Sequence, residues 1–174
     1  AIFRAGKVRF YRAKWLMDFS HWNEDAFFDN AKICNDKDSR PKSRSPKEPI
    51  IFSVGGFKVS AIFGWETHFD EIFIKLRKKG VDILCVPTAS SFGSNARWQR
   101  LLQTRAFLNS CFVVRVNRTG RFMESSIAWD FYGESFIALP DGSLGDMMGE
   151  KDGILVSEIR HNLLDEIKDS WGFR

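Results

Sequence analysis

Three cysteines, Cys34, Cys85 and Cys111, are the strongest candidate nucleophiles in this 174-residue sequence. Their number is odd and none forms a C-x-x-C pair, so the spacing indicates neither a disulfide framework nor a metal site. Cys85 and Cys111 lie in apolar runs, where free cysteine usually packs in a core. Cys34 has no base close to it in the sequence. No cysteine is therefore an evident catalytic residue, and we expect neither a metal nor a cofactor.

The net charge is +4, and residues 35–49 hold five basic and three acidic side chains with three prolines. So few apolar residues cannot form a core, which predicts a mobile basic surface insertion over residues 35–49. Binding of nucleic acid through this insertion is an alternative, but basic segments are more often solvated loops, and we expect none. No apolar run approaches the length of a membrane span, so we expect no membrane association.

Strands and helices alternate through the middle of the chain, and strands dominate its flanks, which predicts an α/β domain. The predicted helices are residues 71–79, 97–109 and 162–168. The predicted strands are a hairpin within 2–11, a second hairpin of 50–52 and 58–63, and residues 81–87, 111–116, 136–139 and 154–159.

Six blocks of the sequence follow one another in an informative order. They are Tyr11-Arg12-Ala13-Lys14, Asn23-Glu24-Asp25, Gly64-Trp65-Glu66, Pro87-Thr88-Ala89, Asn117-Arg118-Thr119-Gly120 and Pro140-Asp141-Gly142. In this order they resemble the carboxy-terminal two-thirds of the carbon–nitrogen hydrolase, or nitrilase, superfamily. The resemblance implies one domain over residues 1–174, with an incomplete four-layer α-β-β-α sandwich of the nitrilase type that lacks its N-terminal section.

The resemblance also implies hydrolysis of a non-peptide C–N bond in an amide, nitrile or N-carbamoyl compound by cysteine, lysine and glutamate. A thiolate attacks the carbon, a carboxylate moves the proton, and an ammonium stabilises the developing oxyanion. Lys14 resembles the lysine, although an exposed lysine at a strand end is the alternative. Glu24 resembles a supporting glutamate, and the alternative is a carboxylate at the start of a helix.

Gly64 stands where the superfamily has its cysteine nucleophile. Glycine suits a tight strand-to-helix turn in which φ is positive, but it has no side chain that can attack. Trp65 would supply a backbone N–H to the oxyanion, and Glu66 would hold the turn. We expect this chain to be inactive by the superfamily mechanism.

His68, Trp129 and Tyr132 are the residues that the resemblance suggests for substrate binding. A lone histidine is more often an ordinary side chain, and an aromatic cluster more often packs in a core.

The superfamily's first glutamate lies upstream of its lysine, and this sequence begins at Ala1, just before Lys14. We therefore expect association with a missing N-terminal fragment, or a homo-oligomer that covers the aromatic tail at Trp171 and Phe173. The expected location is the cytoplasm. The leading hypothesis is an inactive carbon–nitrogen hydrolase domain, or pseudoenzyme, in a lineage acting on small amides or nitriles. The alternative is a non-catalytic ligand-binding or scaffold protein.

Overall fold

The computed structural model describes residues 2–4, 6–19, 22–24, 26, 48–91, 93–124, 127–171 and 173. The chain forms two compact units, Ala1–Ile50 and Ile51–Arg174. Cys34 and most of the predicted insertion, residues 35–47, lie outside the described residues, so mobility of the segment stays a prediction. None of the described helices is long and apolar enough to cross a membrane.

The first unit contains two short antiparallel hairpins among its described residues. Its strands are β1 (Ile2–Arg4), β2 (Lys7–Arg9), β3 (Asp18–Phe19) and β4 (Trp22–Asn23). Strand β1 pairs with β2 around Gly6, whose φ of +72° favours glycine, and this confirms the first predicted hairpin. Strand β3 pairs with β4 and was not predicted.

The second unit is built on a six-stranded mixed sheet in the order β12-β11-β8-β7-β6-β5. Its strands are β5 (Ile51–Val54), β6 (Phe57–Ala61), β7 (Ile83–Thr88), β8 (Phe112–Asn117), β11 (Phe136–Ala138) and β12 (Leu144–Met147). Strands β6, β7 and β8 are parallel, and the other neighbours are antiparallel. A separate hairpin joins β9 (Thr119–Glu124) to β10 (Ile127–Tyr132).

Three helices accompany this sheet. They are α1 (Asp70–Lys78), α2 (Asn95–Asn109) and α3 (His161–Trp171), all close to the predicted helices. Helix α1 buries the apolar face formed by Ile72, Phe73 and Leu76. In α3, Leu164 packs with Phe112 and Ile137 of the sheet. The predicted α/β architecture is confirmed.

One predicted strand is wrong. Residues 152–160 form no regular secondary structure, and Ile154 and Val156 are 92% and 87% exposed. The apolar residues of this segment form a strand only if a neighbouring strand accepts its backbone hydrogen bonds. Strand β12, which was not predicted, pairs with β11.

Candidate functional site

The carboxyl ends of the parallel strands β6, β7 and β8 meet at one edge of the sheet. Ligand sites of open α/β sheets commonly lie at such an edge. Strand β6 leads into a short 3-10 helix, Gly64–His68, which we call the elbow helix. Strand β7 ends at Thr88 and β8 ends at Asn117, so the two strand ends lie side by side. The order of the elements therefore brings together three of the sequence blocks that carry the resemblance.

The elbow helix is held by its own polar groups. The Phe63 N–H donates to Oε2 of Glu66 at 3.0 Å, and the Glu66 N–H donates to the Phe63 carbonyl at 3.0 Å. Glu66 is 0% exposed, so its carboxylate serves the backbone of the turn. The Thr67 hydroxyl donates to the Gly64 carbonyl at 2.6 Å. Arg105 of α2 donates to the Thr67 carbonyl at 2.9 Å, which ties this helix to the elbow.

Gly64 is buried and does not have positive φ, so the backbone conformation expected from the sequence is wrong. The constraint is the absence of a Cβ atom. A Cβ built on Gly64 would lie 2.6 Å from Cγ2 of Thr88, 3.2 Å from Cη2 of Trp98 and 3.5 Å from the Pro87 carbonyl oxygen. These neighbours fill the space that a larger side chain would enter.

Aromatic rings surround the elbow. His68 lies 4.8 Å from the Trp65 ring and 5.7 Å from the Trp98 ring, measured between centroids. Nδ1 of His68 is 3.0 Å from the Trp65 carbonyl oxygen. The structure therefore brings Gly64, Trp65 and His68 together with Trp98, a residue that the sequence analysis did not select.

Asn117 connects the ends of β7 and β8. Its Oδ1 accepts hydrogen bonds from the Thr88 hydroxyl at 2.8 Å and from the Ser90 N–H at 2.9 Å. Its Nδ2 donates to the Gly133 carbonyl at 2.8 Å, and its N–H donates to the Ser135 hydroxyl at 2.9 Å. Because Asn117 is buried with four bonds, it fixes the side chain of Thr88 against Gly64.

Arg115 of β8 lies behind Trp98 and is 0% exposed. Its Nη2 donates to the Tyr132 hydroxyl at 2.9 Å, and this hydroxyl is 3.2 Å from Oγ of Ser94. Sequence reasoning missed Arg115, although a charged residue inside the apolar run of residues 111–116 was a usable signal. Tyr132, predicted as a binding residue, is joined to the elbow through Arg115 and Trp98.

Trp129 is half-buried on β10, three residues before Tyr132. Side chains at an odd spacing leave a strand on opposite faces, so Trp129 and Tyr132 do not share a face of the hairpin.

Lys14 and Glu24 lie in the first unit and are both half-buried. Oε2 of Glu24 accepts the Met17 N–H at 3.0 Å, and the Glu24 N–H donates to the Met17 carbonyl at 2.7 Å. Glu24 therefore closes the turn around β3 and β4. The Lys14 ammonium lies 4.3 Å from the centroid of the Trp15 ring. Their assignment to the catalytic site stays a prediction.

The described cysteines offer no obvious replacement for the nucleophile. Cys111 is buried, and Cys85 is half-buried in β7. Burial raises the pKa of the Cys85 thiol, which lowers the fraction of reactive thiolate at neutral pH.

Comparison with known proteins identifies the family. The family model for carbon-nitrogen hydrolases matches residues 20–169. The chain therefore belongs to the carbon–nitrogen hydrolase family. It is similar to a deaminated glutathione amidase from Synechocystis sp., with 31% identity over 105 residues, covering 60% of this chain and 38% of that protein. It is also similar to an N-carbamoylputrescine amidase from Oryza sativa subsp. japonica, with 34% identity over 125 residues, covering 62% of this chain and 40% of that protein.

A solved structure gives the same fold. The carbon-nitrogen hydrolase from Helicobacter pylori matches with a TM-score of 0.77 and 21% sequence identity, over 94% of this chain and 56% of that one. The structure is thus an incomplete form of the nitrilase-type α/β fold. The chain spans about two-fifths of the length of the two curated relatives.

Proposed function

We propose that this chain is a catalytically silent carbon–nitrogen hydrolase domain with a binding or scaffold role. One observation carries the proposal: a Cβ at Gly64 would lie 2.6 Å from Cγ2 of Thr88. Gly64 occupies the position that the resemblance assigns to the nucleophile. Glycine has no thiol, and Thr88 and Trp98 lie too close to this position to admit a side chain without moving.

The lineage chemistry is hydrolysis of amide or carbamoyl C–N bonds, because the relatives are named as amidases. Thiol-based hydrolysis requires a nucleophile that forms a covalent intermediate with the carbon of the substrate. Cys85 is a poor substitute because burial raises its pKa. Cys111 is a poor substitute because it is buried beside the core.

The scaffold of the site is nevertheless well ordered. The bonds of Glu66 to Phe63, of Arg105 to Thr67 and of Asn117 to Thr88 hold the elbow and the strand ends in one arrangement. A satisfied buried network of this kind makes the elbow rigid, and a binding or scaffold role needs such rigidity but no nucleophile.

The test is a turnover assay with the full chain. The substrates are simple amides, nitriles, deaminated glutathione and N-carbamoylputrescine, and the Oryza relative is the positive control. Ammonia is measured for the simple amides, the nitriles and N-carbamoylputrescine, and the released cysteinylglycine amine is measured for deaminated glutathione. We expect no product to form faster than in buffer.

A second sample, alkylated at its cysteines, separates the possible failures. Turnover that survives alkylation contradicts the cysteine-based chemistry altogether. Turnover that alkylation abolishes shows that another cysteine has taken over, and this result also rejects the silent-domain proposal.

A further inference from the structure

Arg115 is a fully buried cation in the middle of β8. Its side chain is 0% exposed, and the guanidinium of arginine stays charged in proteins. Removing such a charge from water is costly unless anions and hydrogen-bond acceptors replace the water. The partners of Arg115 therefore indicate what this part of the molecule is suited to bind.

The partners supplied by the described residues are incomplete. Nη2 donates to the Tyr132 hydroxyl at 2.9 Å, and Nη1 donates to the Glu134 carbonyl at 3.3 Å. The buried Nε has no acceptor among the described residues, and no described carboxylate forms an ion pair with Arg115. Burial lowers the pKa of Arg115, and this effect is opposed by the Tyr132 hydroxyl and by the charge of Glu134. An acceptor on the Nε side would complete the donor set.

Aromatic rings form the walls around the guanidinium. Cζ of Arg115 lies 5.1 Å from the centroid of Trp98, 5.5 Å from that of Tyr132 and 5.6 Å from that of Phe136. Ring faces attract a cation, but they offer no conventional acceptor for its N–H groups. The rings therefore leave the edge of the guanidinium as the part that an acceptor can reach, and this edge fits a small planar anion.

The amino terminus of α2 adds a second positive end. Ser94 is the N-cap of this 15-residue helix and makes no capping bond with its side chain, and the first turn holds no acidic residue. The Ser94 hydroxyl lies 3.2 Å from the Tyr132 hydroxyl, which also accepts from Arg115. Oδ1 of the adjacent Asn95 is buried without a partner among the described residues, and rotation of the amide would direct its NH₂ group inward. The end of a helix dipole therefore lies beside the buried guanidinium.

We propose that Arg115, Tyr132 and the first turn of α2 form a covered site for a small carboxylate. The two oxygens would accept from Nε and from the second hydrogen of Nη2, since this edge of a guanidinium matches a planar carboxylate. Carboxylate binding at Arg115 is independent of the silent-domain proposal, because it does not depend on whether the protein hydrolyses a substrate.

The test uses the full chain with sodium formate and sodium acetate as probes. Calorimetric titrations run at constant ionic strength, balanced with sodium chloride, and sodium phosphate is a separate arm. We expect saturable binding of one carboxylate per chain and weaker binding of phosphate. Arg115→Lys should weaken carboxylate binding about tenfold, since lysine keeps the charge but lacks the planar pair of N–H donors that a carboxylate accepts from. The matched control is Arg118→Lys, an exposed arginine on the same stretch of chain, which should bind as the parent does.

Tyr132→Phe is the second variant, in case Arg115→Lys does not fold. It keeps the guanidinium and removes the hydroxyl that accepts from Nη2 and holds the guanidinium in place, so binding should weaken several-fold. Circular dichroism checks each variant. The proposal is overturned by non-saturable binding to the parent, by equal affinity for phosphate and acetate, or by a folded Arg115→Lys that binds as the parent does. Hydrolysis by a parent chain that binds no carboxylate would reject both proposals, whereas hydrolysis by a parent chain that does bind carboxylate would reject only the silent-domain proposal.

Discussion

Adding a single methyl group at Gly64 should destabilise this protein, although the same change usually stabilises a glycine position with ordinary φ. Gly64→Ala places a Cβ 2.6 Å from Cγ2 of Thr88, whereas ordinary contacts begin at 3.4 Å. Thr88 cannot turn away freely, because its hydroxyl donates to Asn117 at 2.8 Å. Trp98, at 3.2 Å from the new Cβ, restricts movement on the other side.

Overpacking of this kind costs about 1–3 kcal/mol of unfolding free energy. Restricting the unfolded chain by Gly→Ala contributes about 0.4–1 kcal/mol in the opposite direction. The net loss should be about 1–2 kcal/mol, which lowers the melting temperature of a domain of this size by roughly 2–8 °C.

Thr88→Ser should remove the clash between the new Cβ at residue 64 and Cγ2 of Thr88. Serine lacks Cγ2 but keeps the hydroxyl that bonds to Asn117, so the double variant should recover most of the stability that Gly64→Ala loses. Thermal and urea unfolding of the parent, the two single variants and the double variant give the coupling free energy. We expect a favourable coupling of about 1 kcal/mol or more.

Gly93→Ala is the control for the unfolded-state effect. Gly93 has no positive φ, and a Cβ there meets nothing within 4 Å, so this change should be neutral or stabilising. A Gly64→Ala protein as stable as Gly93→Ala would refute the steric argument. Additive effects of Gly64→Ala and Thr88→Ser would show that Thr88 is not the obstacle.

Three further predictions follow from the same region. The double variant with Gly64→Cys and Thr88→Ser should fold and expose a new thiol. If the site still favours a thiolate, the alkylation rate of this thiol against pH should show a pKa below the ordinary ~8.5. A profile like that of free cysteine would show that the site does not favour a thiolate. Asn117→Ala should cost about 2–4 kcal/mol because it leaves buried groups without partners, whereas the exposed Asn162→Ala should change the unfolding free energy by less than about 0.5 kcal/mol. Burial raises the pKa of the Cys85 thiol in the folded protein above its value of about 8.5 in the unfolded chain. The neutral thiol therefore stabilises the folded protein below about pH 8.5, and this stabilisation is lost as the pH rises further. Cys85→Ala should make the fall in unfolding free energy above about pH 9 less steep.

Much of the framework could be predicted from local patterns. Helix α1 follows from the spacing of Ile72 and Leu76 and from Gly80, whose φ of +73° ends it. Strands β7 and β8 follow from their continuous apolar runs. The segment 154–159 has an equally good pattern but forms no strand, because a strand also needs a neighbour with free backbone groups.

The order of its sequence blocks by itself determined the family and the absence of a nucleophile at residue 64. Side-chain chemistry is a property of the residue, so no fold can give glycine a thiol. Only the tertiary structure decided what surrounds that glycine, since Thr88 and Trp98 are 24 and 34 positions away and approach it only when β7 and α2 pack beside the elbow. The same holds for Arg115, whose charge is visible in the sequence. Its burial, its bond to Tyr132 and the lack of an acceptor for its Nε among the described residues arise from contacts between segments that no local pattern encodes.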